Sequence, residues 1–180
     1  MRTTLFHALV VRADAARQLP IALISHRSRN SGDDHAFWEA ERMLETKIGR
    51  YARFESIVVS QGSGSSKRTK DLAAQKKEEG VKTMKRISDG DFVVCFDERG
   101  KKMDSVAFSR EVVKKAGERG YSRIAFVLGG PYGIHEEVLR RANVTVSLSD
   151  MVMNHSVARI VVLEQIYRAW TILTGSPYHH

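Results

Sequence analysis

The chain has 180 residues, 42% hydrophobic and 28% charged, a balance that suits one globular domain and excludes a disordered chain. Lys and Arg outnumber Asp and Glu by 29 to 21, and the resulting formal charge of +8 favours a polyanionic partner, nucleic acid before an anionic membrane. A single cysteine, Cys95, excludes an internal disulfide framework and a Cys-rich metal site, and no apolar run approaches a membrane span, so a cytoplasmic protein without metal is expected.

Residues 1–19 are rich in arginine (Arg2, Arg12, Arg17) and poor in acids, a faint likeness to a targeting peptide; they read as an extension ahead of one domain over 20–180. Pro20 to Ser25 is a short apolar run and the first expected strand. A polar loop follows, in which Asp33 or Asp34 could cap a helix from His35 to Tyr51. Phe54 to Ser60 reads as a second strand. The loop Gln61 to Ser66 lacks the Lys-Ser/Thr ending of a phosphate-binding loop. Lys67 to Arg86 is the most basic segment. It reads either as a solvated helix face or as a patch whose Lys67, Arg68 and Lys70 track RNA phosphates.

Asp91 to Phe96 is nearly all apolar, hence a third strand buried on both faces, with Cys95 as a small core residue. A turn over 97–101 leads to a helix from Ser105 to about Arg119. Arg123 to Leu128 is a fourth buried strand, and it ends in Gly129-Gly130-Pro131-Tyr132-Gly133. A helix with His135, Glu136 and Glu137 in its first turn precedes a fifth strand, Val144 to Leu148. Strands alternating with helices predict an α/β fold whose mainly parallel sheet carries helices on both faces.

The last helix, Asn154 to Leu173, places Ala158, Val162, Leu163, Ile166, Ala169, Trp170 and Leu173 on one face. Arg159 lies in the middle of that face. It is either a buried ion pair or a cation facing a wet cavity, where it would hold RNA. Val157, Ile160, Val161 and Ile172 fall outside the main face, which points to a second apolar contact and a homodimer.

Three loops leave the carboxyl ends of strands: 96–100, 128–133 and 147–154. Ligands of open α/β sheets sit there. The Gly-Gly-Pro-x-Gly turn does not match the dinucleotide pattern, and the acids after it would repel a pyrophosphate. It marks either a pocket for a flat ligand or only a tight turn.

The stretches FVLGGPYGI, VSLSDM and ARIVVLEQIYRAW, the Pro-Tyr-His ending and the segment CFDERGKKMDSVAFS resemble the RlmH family, ribosomal large-subunit pseudouridine N3-methyltransferases of the SPOUT superfamily. The resemblance covers about residues 20–180. It implies a C-terminal trefoil knot, a homodimer, S-adenosylmethionine as cofactor, and 23S rRNA in the assembled ribosome as substrate. It assigns cofactor contacts to Phe96, Gly129, Gly130, Leu148, Ser149, Asp150, Met151, Val152 and Met153. Arg168, Tyr178 and His179 match the family's closing Arg and Tyr-His.

The implied reaction is direct displacement at N3 of pseudouridine, whose imide must lose its proton. His179, His155, Tyr178 or solvent could accept it, and Arg168 or Arg159 could hold the developing anion or a phosphate. The chain departs from the family at Met151-Val152-Met153-Asn154-His155, where Met-Thr-x-Pro-His is usual. That change keeps two alternatives open: an RNA- or ribosome-binding protein that has lost its chemistry, and a methyltransferase acting on another RNA such as tRNA.

Overall fold

A computed structural model describes residues 18–27, 35–60 and 72–177. Its sheet has five parallel strands, β1 (Ile21–Arg27), β2 (Phe54–Ser60), β3 (Asp91–Lys102), β4 (Arg123–Leu128) and β5 (Val144–Ser147), in the order β2-β1-β4-β3-β5. Side chains alternate across a strand, so a sheet covered twice needs apolar residues at every position. The central strands meet that need. Ile21, Leu23, Phe92, Val94, Phe96, Ile124 and Phe126 enter one core, while Ile24, Val93, Cys95, Ala125 and Val127 enter the other.

Helix α1 (His35–Ile48) contributes Leu44 and Ile48 to the first core, and α2 (Leu72–Met84) packs Met84 against the second. Helix α3 is continuous from an α-turn, Ser105–Phe108, through a π-helical stretch, Ser109–Lys114, to a closing turn, Lys115–Glu118. It lies on the first face, and α4 (Glu136–Arg141) lies on the second through Val138. Crossovers toward the β2 edge therefore use one face and those toward the β5 edge the other, which gives all four the same hand.

Helix α5 (His155–Leu173) breaks this scheme. It follows the edge strand β5 yet packs between α1 and α3 on the first face, so the chain between them crosses the carboxyl end of the sheet. Ala158, Val162, Leu163, Ile166, Ala169 and Trp170 are buried as the periodicity requires, while Val157 is exposed and Ile160, Val161 and Ile172 are only partly covered.

Several boundaries differ from the sequence reading. Residues 97–101 are not a free turn: β3 runs on to Lys102, and both Phe96 and Lys101 pair with Val146, so residues 97–100 bulge out between them. Gly100 makes this possible, because a Cβ there would sit 2.5 Å from the Val146 carbonyl carbon. Helix α1 stops at Ile48 and β5 at Ser147. His135 caps α4 instead of joining it, and Asn154 likewise caps α5 instead of opening it, accepting from the Ser156 amide at 2.9 Å. The π-helical stretch has no signature in hydrophobic period; its wider turn turns Ser109, Val112 and Val113 inward. Leu19, assigned to the extension, is buried in the first core. Asp33 and Asp34, and the Gln61 to Ser66 loop, lie outside the described residues.

Of the two readings of Arg159, the structure shows the buried ion pair. The Arg159 side chain is only 4% exposed and its guanidinium is shared among interior partners. Nε lies 3.0 Å from Glu41 Oε2; Nη1 donates to Ser25 Oγ at 2.6 Å, and Nη2 donates to Glu45 Oε1 at 3.1 Å and Ser56 Oγ at 2.7 Å. It is a buried structural ion pair linking α5 to α1, β1 and β2, with no surface left for RNA. Removing one partner of such a pair strands the other charge in low dielectric. Arg159→Ala should therefore lower unfolding free energy by about 3–5 kcal/mol, read as a drop in the urea midpoint; an unchanged midpoint would refute the role.

Candidate cofactor pocket and active site

Parallel strands bring their carboxyl ends to one edge, and the loops leaving them meet there. The three loops 96–99, 128–133 and 147–154 line a single cavity of about 1020 Å3. Phe96, Gly129, Gly130 and Leu148 through Met153, nine residues from three separate stretches of sequence, all reach it. His155 lines it too, at the start of α5.

The glycines serve the turn itself more than an incoming ligand. A Cβ on Gly129 would lie 2.8 Å from the Gly133 carbonyl carbon and 2.7 Å from Ile134 Cγ1, so the turn closes on itself only without one. A Cβ on Gly130 would meet Glu79 Oε2 at 2.9 Å, and Gly133 has φ +79°, a conformation costly for other residues.

The bulge supplies Asp97, whose carboxylate accepts from Arg99 Nε at 2.9 Å and from the Arg99 amide at 3.1 Å. The Arg99 side-chain bond holds the Asp97 carboxyl below its ordinary value, against an opposing effect of burial. Asp97 is thus a fixed negative charge in the wall. Asp150, in the third loop, pairs with Lys102 and ties that loop to the end of β3. Cys95 lies behind this wall in the second core, and burial pushes its thiol up to about 12, so it plays no nucleophilic part.

Sequence reasoning missed three contributors: Phe37 from α1, Lys76 from α2, and His26 at the carboxyl end of β1. The strand-end rule could have found His26; Lys76 was visible only as one of many lysines. His26 is 4% exposed, with Nε2 2.8 Å from Thr83 Oγ1 and Nδ1 3.8 Å from Glu79 Oε2, itself braced by Gln75 Nε2 donating to Oε1 at 3.0 Å. Burial lowers the His26 pKa; Glu79 opposes that and Lys82 reinforces it.

A family model described as a predicted SPOUT methyltransferase matches residues 30–179. The chain belongs to the SPOUT methyltransferase family. A putative RNA methyltransferase of Arabidopsis thaliana is 41% identical over 170 residues, 92% of this chain and 82% of its own. The ribosomal RNA large subunit methyltransferase H of Christiangramia forsetii is 40% identical over 141 residues, 77% of this chain and 87% of its own. A probable methylase family protein of Haemophilus influenzae, whose structure is solved, matches in fold with a TM-score of 0.53 at 14% identity, over 89% of this chain and 70% of that one.

Of the other residues that the resemblance names, Arg168 is not among those lining the cavity. Arg168 sits 13 residues beyond His155 on α5, about 20 Å along the axis at the usual helical rise, and pairs with Glu164 at 2.6 Å. Tyr178 and His179, and the basic Lys67, Arg68 and Lys70, lie outside the described residues. Among the described residues no cluster of three metal-ligating side chains occurs, and no helix is long and apolar enough to cross a membrane.

The His26 environment has a pH consequence. The unfolded chain takes up a proton near pH 6.5 while folded His26 resists it, so its contribution is intact above about 6.5. It is lost as pH falls from there through the depressed folded value. His26→Gln should flatten this part of the stability–pH curve, measured by urea unfolding between pH 5 and 8; an unaltered slope would argue against it.

Proposed function

We propose that the chain methylates N3 of a pseudouridine in the large-subunit ribosomal RNA, using S-adenosylmethionine. The supporting observation is the convergence, on one cavity, of nine loop residues in a chain of the SPOUT methyltransferase family. Relatives bearing ribosomal RNA methyltransferase names at about 40% identity support the RNA class. So does the +8 charge.

The cavity's chemistry suits the cofactor. Phe96, Leu128, Leu148 and Met153 offer an apolar wall to a flat base, and the fixed carboxylate of Asp97 suits a ligand carrying a sulfonium and an ammonium. When bound, the cofactor supplies an electrophilic methyl group. The protein contributes alignment, exclusion of water and management of one proton. His155 lines the cavity and is one acceptor for the imide proton, alongside His179, Tyr178 and solvent.

Arg168 lies too far along α5 to serve the cavity of its own chain, which favours a homodimer in which Arg168, Tyr178 and His179 complete the partner's site. The exposed Val157 and the partly covered Ile160, Val161 and Ile172 supply apolar surface for such a contact. A C-terminal trefoil knot fits a helix α5 that lies between α1 and α3 although β5 lies outside β3. The expected place of action is the cytoplasm, on the assembled ribosome.

Labelled donor incubated with ribosomes lacking the mark should label the large-subunit RNA, with the methyl group located at pseudouridine N3 by mass spectrometry. Donor binding without labelling would leave an RNA binder, and labelling of tRNA alone would change the substrate. Shared sites make a second prediction. His155→Ala and Arg168→Ala, each nearly inactive alone, should on mixing recover up to about a quarter of wild-type activity through mixed dimers with one intact site. Absence of recovery would place both residues in one subunit's site.

A further inference from the structure

The cavity's outer rim carries two residues that the methyl-transfer reading does not use. Tyr132, fourth residue of the Gly129 to Gly133 turn, is 44% exposed although it lines the cavity. Lys76 reaches the same rim from α2: its Nζ is 3.8 Å from where a Cβ on Gly133 would stand, next in sequence to Tyr132. Other cations near the cavity are engaged, Arg99 by Asp97, Lys101 by Glu111 at 2.6 Å and Lys102 by Asp150. Among the described residues, no carboxylate lies within ion-pair distance of Lys76. Asp97, in the wall, hydrogen-bonds to Arg99, and the Lys76 charge adds to the lowering of its carboxyl without forming an ion pair.

We infer that Tyr132 and Lys76 form a nucleotide subsite at the cavity mouth, with a base stacked on the Tyr132 ring and its phosphate held by the Lys76 ammonium. This rests on the RNA methyltransferase reading and extends it to a nucleotide flanking the target. An exposed flat ring and a cation without a close carboxylate among the described residues, both lining one cavity, match the two halves of an unpaired nucleotide, a π-face and a phosphodiester. The donor's carboxylate could use the lysine but not the ring. At φ +79°, Gly133 leaves a gap that, its chain neighbours aside, only Lys76 Nζ approaches. Lys76 also continues the basic stretch that begins at Lys67.

The test uses full-length protein and ribosomes lacking the methyl mark. Tyr132→Ala and Lys76→Ala should each raise ribosome Kd and KM by about 5- to 50-fold, a larger change than either makes in kcat or in calorimetric donor affinity. Tyr132→Phe should behave as wild type, because stacking needs the ring and not the hydroxyl. Lys76→Ala should also reduce the slope of log Kd against log salt by about one. Unchanged ribosome affinity in both alanine variants overturns the subsite. So does a Lys76→Ala effect confined to donor binding, which would assign the cation to the cofactor. Ribosome Kd is read without turnover, so a wild-type protein that binds ribosomes but methylates none would refute the enzymatic reading and still score the subsite.

Discussion

The guanidinium of Arg159 holds the molecule's unusual topology in place. Four elements meet on it: β1 through Ser25, β2 through Ser56, and α1 through Glu41 and Glu45, all against α5. Helix α5 comes from the far edge of the sheet and is joined to β5 only through the loop 148–154. Hydrophobic burial alone would tolerate sliding along its axis, because Val162, Leu163 and Ile166 are similar in size and shape. A charge that must find two carboxylates and two hydroxyls in low dielectric does not slide. It fixes the register of α5, and with it the start of the helix at the cavity wall.

From that register the site follows. His155 can face the cavity only if α5 begins where the sheet ends, and Asn154 fixes that beginning by capping the helix. On the opposite wall, the closed Gly129 to Gly133 turn rests on Glu79 and His26, so a second buried polar group supports the site from the other face of the sheet. The cavity thus sits between two polar anchors, one charged and one kept neutral by burial.

Much of this was legible in the sequence for physical reasons. Apolar runs with turn residues between them named all five strands, and the parallel order follows from strand–helix alternation. The ligand-bearing loops were found because a parallel sheet gathers its strand ends at one edge. Periodicity marked Arg159 as misplaced but could not say which carboxylates answered it, since Glu41 and Glu45 lie over a hundred residues away. The bulge at 97–100 was read as a turn because Asp, Glu, Arg and Gly are turn residues wherever they occur; only pairing with β5 reveals a strand that resumes. His26 and Lys76 were overlooked because each is a single polar residue in a segment already explained.

The bulge has a mechanical consequence. Phe96 and Lys101 both grip Val146, and Gly100 lies flat against the backbone of β5, so the first loop is stapled at both ends and cannot swing out as a lid. The glycine turn is likewise folded onto itself. Entry and exit of a ligand then fall to the 148–154 segment, where Val152 is 95% exposed and Met151 nearly as free. That segment is held by the Lys102–Asp150 pair on one side and by the helix cap that sets His155 on the other, with its most open residues between them.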